Sequence, residues 1–210
     1  MDRVIDTGRL LLRRFTLDDL PAFYHLASRP EIIRYAQSTP VASLEEAREL
    51  MKAAPLRDYA THGYGRFACV WKETGEVIGF SGLKFVPEIG DTELGYRFFK
   101  EYWGKGLATE AGRASIEFAR SDLGLTRLVA MVHPENVASA KVVEKLGFTD
   151  LGHELQATEA DHVAGLLPDT GETTIAVRGV VMERRRFHHL ERALEGRDRF
   201  ALGVADDLRP

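Results

Sequence analysis

Cysteine is nearly missing from this sequence, since Cys69 is the only one among 210 residues. A single cysteine excludes an internal disulfide and a zinc site built from several cysteines. Phe67 and Trp71 lie at alternating positions beside Cys69 in a β-forming stretch. This pattern favours a core thiol on one face of a strand over a catalytic thiol.

Long apolar runs are also missing. No stretch approaches the roughly 20 apolar residues that a membrane-spanning helix needs. Residues 1–14 carry acids and no apolar core of the kind that a signal peptide has. The sequence therefore predicts a cytoplasmic protein without a membrane partner.

Neither sign of charge dominates. The chain has 28 Lys and Arg against 32 Asp and Glu, a formal net charge of -4 and a pI near 6.0. No nucleic acid partner is expected, because a broad phosphate-binding face needs a basic surplus. None of the seven histidines forms a zinc-like pair with nearby acids at helical spacing, so no metal is expected.

Hydrophobic periodicity predicts a mixed α/β fold in one domain, residues 1–187, followed by a C-terminal tail, residues 188–210. Strand character is found in residues 10–15, 66–71, 77–85, 93–99, 127–132, 148–152 and 175–187. Helical patterns with capping residues are found in residues 16–29, 43–52, 107–122 and 134–146. The fourth and fifth strands are expected to run parallel on either side of a crossover helix. Residues 59–65 are predicted to form a loop, and residues 154–173 a long polar excursion.

Two glycines spaced Gly-x-Gly, Gly104 and Gly106, lie between the fourth strand and the longest helix. Backbone N–H groups at such a turn can converge on an anion, although a tight turn needs glycine for steric reasons as well. There is no Gly-x-x-x-x-Gly-Lys-Ser/Thr, and no Gly-x-Gly-x-x-Gly opens this helix. The P-loop and the dinucleotide fingerprint are therefore excluded.

Four blocks in fixed order carry a resemblance to a known family. They are residues 77–83, 93–96, 102–111, and 133–139 leading to 145–148, which read VIGFSGL, ELGY, YWGKGLATEA, and HPENVAS leading to KLGF. Together they resemble the GCN5-related N-acetyltransferases (GNAT), and more narrowly the branch that acetylates ribosomal-protein N-termini (RimJ/RimL-like). The resemblance covers about residues 10–187. It implies a mixed, mostly antiparallel seven-stranded sheet, splayed between strands 4 and 5 and flanked by about four helices.

The resemblance also implies acetyl-coenzyme A as co-substrate. Its pantetheine arm would lie in the splayed gap beside the backbones of Phe98 and Phe99, and Asn136 would contact the same arm. From residue type alone, Asn136 is equally a helix cap. The pyrophosphate would lie on the backbone amides of the loop and helix start, which are those of Gly104, Lys105, Gly106, Leu107, Ala108 and Thr109.

The implied reaction moves an acetyl group to a primary amine by direct attack in a ternary complex. An ammonium has no lone pair, so a base is needed, and Glu93 is the candidate. Its alternative role is an exposed charge pair with Arg97 on the same strand face. Many relatives have a tyrosine as general acid where this chain has Val143. Ser139 matches the hydroxyl that the ribosomal-protein-modifying branch uses near the sulfur, so the resemblance makes it the candidate acid, with a serine that only packs as the alternative.

The acceptor is a small-molecule or peptide amine, and the chain is expected to be a monomer or a homodimer. The resemblance places the acceptor pocket in residues 31–65 and 154–173, where Tyr35, Tyr59, His62 and Tyr64 are candidate lining residues. A non-catalytic acyl-coenzyme A-binding module or interaction protein that retained the fold stays open as the alternative function.

Overall fold

The computed structural model describes residues 4–36, 39–87, 90–155 and 177–182. The strands are β1 (Ile5–Asp6), β2 (Leu10–Arg13), β3 (Arg66–Trp71), β4 (Val77–Val86), β5 (Asp91–Phe98), β6 (Leu128–Val132), β7 (Thr149–Leu155) and β8 (Val177–Met182). The α-helices are α1 (Leu20–Ser28), α2 (Pro30–Ile33), α3 (Leu44–Met51), α4 (Arg57–His62), α5 (Leu107–Ser121) and α6 (Val137–Lys145). The predicted tail and most of the polar excursion lie outside the described residues.

All strands join one sheet in the order β1-β2-β3-β4-β5-β6-β8-β7. Every neighbouring pair is antiparallel except β5 and β6, which are parallel and flank α5. The mixed, mostly antiparallel α/β fold is therefore confirmed. Seven strands are not confirmed, because the short β1, which pairs with β2 through Ile5 and Leu12, makes an eighth within the described part of the chain.

The sheet opens between β5 and β6. β4 and β5 pair continuously from Gly79–Phe98 to Val86–Asp91, whereas β5 and β6 meet at a single pair, Glu93 with Val129. Beyond Glu93, toward Phe98, the two strands diverge. This is the splay predicted between the fourth and fifth strands.

Side chains alternate between two faces of the sheet because successive residues of a strand point to opposite sides. Phe67 and Cys69 of β3 pack into one core with Leu107 of α5, while Ala68 packs into a second core with α1 and α3. Cys69 is fully buried, and this burial raises the pKa of its thiol. Cys69 is therefore a core thiol, as its neighbours predicted.

The predicted loop over residues 59–65 is wrong in its first half. A π-helical turn, Lys52–Leu56, joins α3 to α4, so helix continues to His62 and ends at Gly63, whose φ is 76°. Tyr59 is buried, accepts a hydrogen bond from the Phe15 N–H at 3.0 Å and donates one to the Arg66 carbonyl. These tertiary contacts stabilise a turn that contains Pro55, which a local pattern would end.

Candidate active site

The loop between β5 and α5 has the backbone geometry that its two glycines predicted. Gly104 and Gly106 have φ angles of 74° and 76°, in the left-handed region that glycine enters without steric cost. A Cβ atom added at Gly104 would meet nothing within 4 Å, so this position faces open space. The first helical hydrogen bond runs from Glu110 N to Gly106 O. The N–H groups of residues 107–109 therefore have no acceptor within the helix and can serve an anion.

Side chains around the loop fix its position. The indole N–H of Trp103 donates to the carbonyl of Phe98 at 2.8 Å, although Trp103 itself is about half exposed. The ammonium group of Lys105 lies over the ring of Tyr102, 5.0 Å from its centre. Arg9, the residue before β2, donates to the carbonyl of Lys105 at 2.9 Å. The loop is thus held from β5, from its own residues and from a distant part of the chain.

The backbone of β5 faces the gap at alternate residues. The N–H of Phe99 donates to the carbonyl of Ile78 at 2.9 Å, so Phe99 turns its N–H toward β4. In an antiparallel pair the next residues along the strand turn their polar groups the other way. Phe98 and Tyr96 therefore direct theirs toward β6. Of the two residues predicted to contact pantetheine, Phe98 turns its backbone toward the gap, whereas the N–H of Phe99 is already bonded to β4.

Asn136 caps α6. Its side-chain oxygen accepts a hydrogen bond from the Ser139 N–H at 3.1 Å, so the cap that its residue type predicted is formed. A contact with a cofactor remains a prediction for this residue.

Ser139 and Tyr96 meet across the gap. The phenol oxygen of Tyr96 lies 2.8 Å from the Ser139 hydroxyl and 3.2 Å from the Ser139 carbonyl. Burial raises the pKa of Tyr96 to about 12, although the Ser139 hydrogen bond lowers it, so the phenol is protonated at neutral pH. Sequence reasoning singled out Ser139 and missed Tyr96. Only the alternation of Leu94, Tyr96 and Phe98 along β5 could have indicated it.

Glu93 lies where β5 and β6 join. It is buried, and its carboxylate is 3.4 Å from the guanidinium of Arg66 on β3. Arg97 instead donates to the carbonyl of Leu26 in α1 at 3.2 Å, and burial lowers its pKa to about 10. The exposed Glu93–Arg97 pair is therefore wrong. The carboxylate is at the closed end of the gap, with a different cation beside it.

Val143, at the position of the tyrosine in many relatives, is 2% exposed and belongs to the core. It has no polar group to offer a leaving thiolate. A phenol nevertheless reaches α6 from the opposite side of the gap, because Tyr96 extends from β5 to Ser139, four residues before Val143.

A groove of about 450 Å³ lies between α1 and the segment before α3, lined in part by Tyr24, His25, Arg29 and Val41. The ring of His25 packs on that of Phe99, with centres 4.3 Å apart, which links the groove to the end of β5. The four predicted acceptor residues lie elsewhere. Tyr59 is buried, Tyr64 bonds Thr92 at 2.9 Å, and Tyr35 and His62 pack against the rings of His133 and Phe85 respectively.

Among the described residues, no group of three or more His, Cys, Asp or Glu could hold a metal ion. Within the same part of the chain, none of the helices has the length and apolar content to cross a membrane.

Residues 9–149 match the family model described as the Acetyltransferase (GNAT) domain. This span includes the open strand, the glycine loop and the Asn136 cap. The chain belongs to the GNAT acetyltransferase family. It is an enzyme of the N-acetyltransferase class, as the four sequence blocks predicted.

Several known GNAT proteins are similar to this chain. An uncharacterised N-acetyltransferase, p20 of Bacillus licheniformis, is 36% identical over 148 residues, which are 70% of this chain and 82% of p20. The Vibrio cholerae spermidine N-acetyltransferase, solved with coenzyme A and spermine, has a TM-score of 0.67 at 20% identity, covering 86% of this chain and 99% of that one. RimL, a ribosomal L7/L12 α-N-protein acetyltransferase, has a TM-score of 0.68 at 17% identity, covering 87% and 95%. The two structures support the fold.

Proposed function

We propose that this enzyme transfers an acetyl group from acetyl-coenzyme A to a primary amine, by direct attack while both substrates are bound. The observation that carries the proposal is the open edge of β5. It starts at the Glu93–Val129 pair and leads to the Gly104–Gly106 loop. An extended ligand with an anion at one end and a reactive carbonyl at the other fits a gap of this form.

The residues present fit coenzyme A. Its diphosphate suits the helix start of α5, where the N–H groups of Leu107, Ala108 and Thr109 converge and the helix dipole favours negative charge. Its pantetheine amides suit the strand edge, where Tyr96 directs its backbone groups and Phe98 its N–H into the gap, while the carbonyl of Phe98 accepts from Trp103. Asn136 keeps a side-chain amide at the other wall while its oxygen caps α6. Acetyl-coenzyme A supplies the activated acyl group when it is bound.

For proton transfer from the amine we assign Glu93, acting directly or through a water molecule. Its carboxylate is at the closed end of the gap, and a carboxylate is the type of group that removes a proton from an attacking amine. Arg66 contacts one carboxylate oxygen, Oε2, at 3.4 Å, which orients the group. The other oxygen, Oε1, is the one we assign to the proton.

For the departing thiolate we assign the hydroxyl of Ser139 as the proton donor. Tyr96 is a hydrogen-bond partner of this hydroxyl at 2.8 Å. When the phenol donates to the Ser139 oxygen, the Ser139 proton is free to point into the gap. Charge that develops on the sulfur is then met by a donor that is already oriented.

The acceptor we propose is a small-molecule amine or a peptide N-terminus that enters through the groove beside His25 and Arg29. The spermidine enzyme and RimL act on such amines, which is consistent with both classes. The enzyme is proposed to work in the cytoplasm and without a metal. The alternative, a non-catalytic acyl-coenzyme A-binding module, would keep the cofactor gap and lack turnover.

A free-thiol assay with acetyl-coenzyme A tests the proposal directly. Polyamines, aminoglycosides, amino acids and peptides with free N-termini are offered in turn, and thermal unfolding is followed with and without coenzyme A. We expect thiol release with at least one amine and a higher melting temperature with coenzyme A. A thermal shift without any turnover would favour the binding module. No turnover and no shift would refute both functions.

A further inference from the structure

Arg9 connects the glycine loop to a part of the chain about a hundred residues away. Its guanidinium donates to the carbonyl of Lys105 at 2.9 Å and to the carboxylate of Glu110 at 2.8 Å. The backbone N–H of Arg9 and the hydroxyl of Thr7 each donate to the other oxygen of Glu110 at 2.7 Å. One arginine thus holds both the loop and the first turn of α5.

The contact with Lys105 determines how the next peptide group points. In a planar trans peptide the carbonyl and the following N–H point in opposite directions. Because Arg9 holds the carbonyl of Lys105, the N–H of Gly106 is turned away from Arg9. That peptide group belongs to the open loop, beside the unpaired N–H groups at the start of α5.

The contact with Glu110 neutralises a negative charge in the first turn of α5. A carboxylate in the first turn of α5 favours the helix but repels a diphosphate at the same end. Burial opposes ionisation of Glu110, yet hydrogen bonds from Thr7 and Arg9 outweigh it and lower the pKa of this carboxyl. Glu110 is therefore charged at neutral pH, and the guanidinium of Arg9 neutralises it.

We propose that Arg9 is a positioning residue for the cofactor diphosphate. It orients the Lys105–Gly106 peptide and cancels the charge of Glu110, so that the loop presents N–H groups without a competing anion. This inference rests on the proposed function, because it concerns the same cofactor site.

Calorimetric titration with coenzyme A and with pantetheine, which lacks the diphosphate, tests the role of Arg9. Arg9→Ala should raise the Kd for coenzyme A by about tenfold or more, because the loop loses its support and the charge of Glu110 then opposes the diphosphate, and it should leave the Kd for pantetheine unchanged. With acetyl-coenzyme A, KM should rise while kcat at saturation stays the same. Arg57→Ala, which removes an exposed arginine from α4, is the control. It should change neither the Kd for coenzyme A nor the KM for acetyl-coenzyme A.

A second variant separates charge from geometry. Glu110→Gln added to Arg9→Ala removes the uncompensated carboxylate and should recover part of the lost affinity for coenzyme A. Arg9→Lys provides the same measurement if Arg9→Ala fails to fold, since one ammonium cannot reach both Glu110 and the Lys105 carbonyl.

Two results would overturn the inference. One is an unchanged Kd for coenzyme A in the Arg9 variants, and the other is equal weakening for coenzyme A and pantetheine. If the wild-type protein binds neither compound, the proposed function fails instead, so the two failures are distinguishable.

Discussion

The two edges of β5 differ sharply although they belong to one strand. Along one edge, eight residues pair with β4 in continuous register. Along the other, one residue pairs with β6 and the strands then separate. Unpaired backbone groups inside a fold are costly, so the open edge is where we propose that the cofactor arm pairs with β5.

Glycines differ between the two edges in the same way. At Gly79, on the closed side, an added Cβ would lie 2.4 Å from the carbonyl oxygen of Arg97, so glycine is required for close strand packing. At Gly104, beyond the open side, an added Cβ would meet nothing, and glycine provides the positive φ and the space for an incoming group. The same residue type thus serves protein packing at one edge and, in the function that we propose, ligand access at the other.

The largest effect on the rate is expected at Glu93, where the open edge of β5 begins. Glu93→Gln should lower kcat by about 100-fold or more, because a general base contributes on that order. KM for acetyl-coenzyme A should change little, and steady-state kinetics at one fixed pH provide the measurement.

Arg66→Lys is the control for Glu93, because it keeps a cation on β3 and changes the contact of that cation with the carboxylate. If both variants lose stability and rate to the same degree, Glu93 has a structural role in the Arg66 pair and no role as a base.

At the closed edge, a substitution should lower stability because it disturbs packing. Gly79→Ala is expected to lower the free energy of unfolding by about 1–3 kcal/mol, the usual cost of forcing extra atoms into a packed site, because the new methyl group collides with backbone atoms of Arg97 and Phe98. Gly95→Ala makes the same change on β5, where the nearest atom is the flexible Arg66 side chain at 3.4 Å. Urea unfolding should show a clearly smaller loss for Gly95→Ala. Equal losses would contradict the packing explanation.

At the open edge, a substitution should lower the catalytic rate instead of the stability. Tyr96→Phe removes the phenol that contacts Ser139 and should lower kcat by about tenfold, at the value of one hydrogen bond, with little loss of stability. The phenol has a pKa of about 12, so the rate ratio between wild type and variant should stay constant from neutral to mildly alkaline pH. Adding Ser139→Ala should lower kcat no further than Ser139→Ala does by itself. Additive losses would mean that the two hydroxyls act separately.

Local features of the sequence predicted most of this arrangement. The strand, the glycine turn and the long helix at residues 107–121 are each encoded by neighbouring residues, and so is the Asn136 cap. The contacts of Arg9 with Glu110 and of Tyr96 with Ser139 join residues that are 101 and 43 positions apart. No spacing rule relates such pairs, because the fold brings them together. The Glu93–Arg97 prediction was wrong for the same reason, since a pattern along one strand could not include Arg66 on another.

The smallest effect is expected where the open edge ends. Trp103→Phe removes the indole N–H that donates to the Phe98 carbonyl at 2.8 Å, and it should raise KM for acetyl-coenzyme A by about threefold, within the range for one neutral hydrogen bond. Trp103 is 48% exposed, so the melting temperature should not change. Trp71→Phe makes the same change at a tryptophan whose ring packs on Tyr102, and it should leave KM unaltered. An unaltered KM in Trp103→Phe would mean that the last carbonyl of β5 needs no support from the loop, and that the strand itself sets the geometry of its open edge.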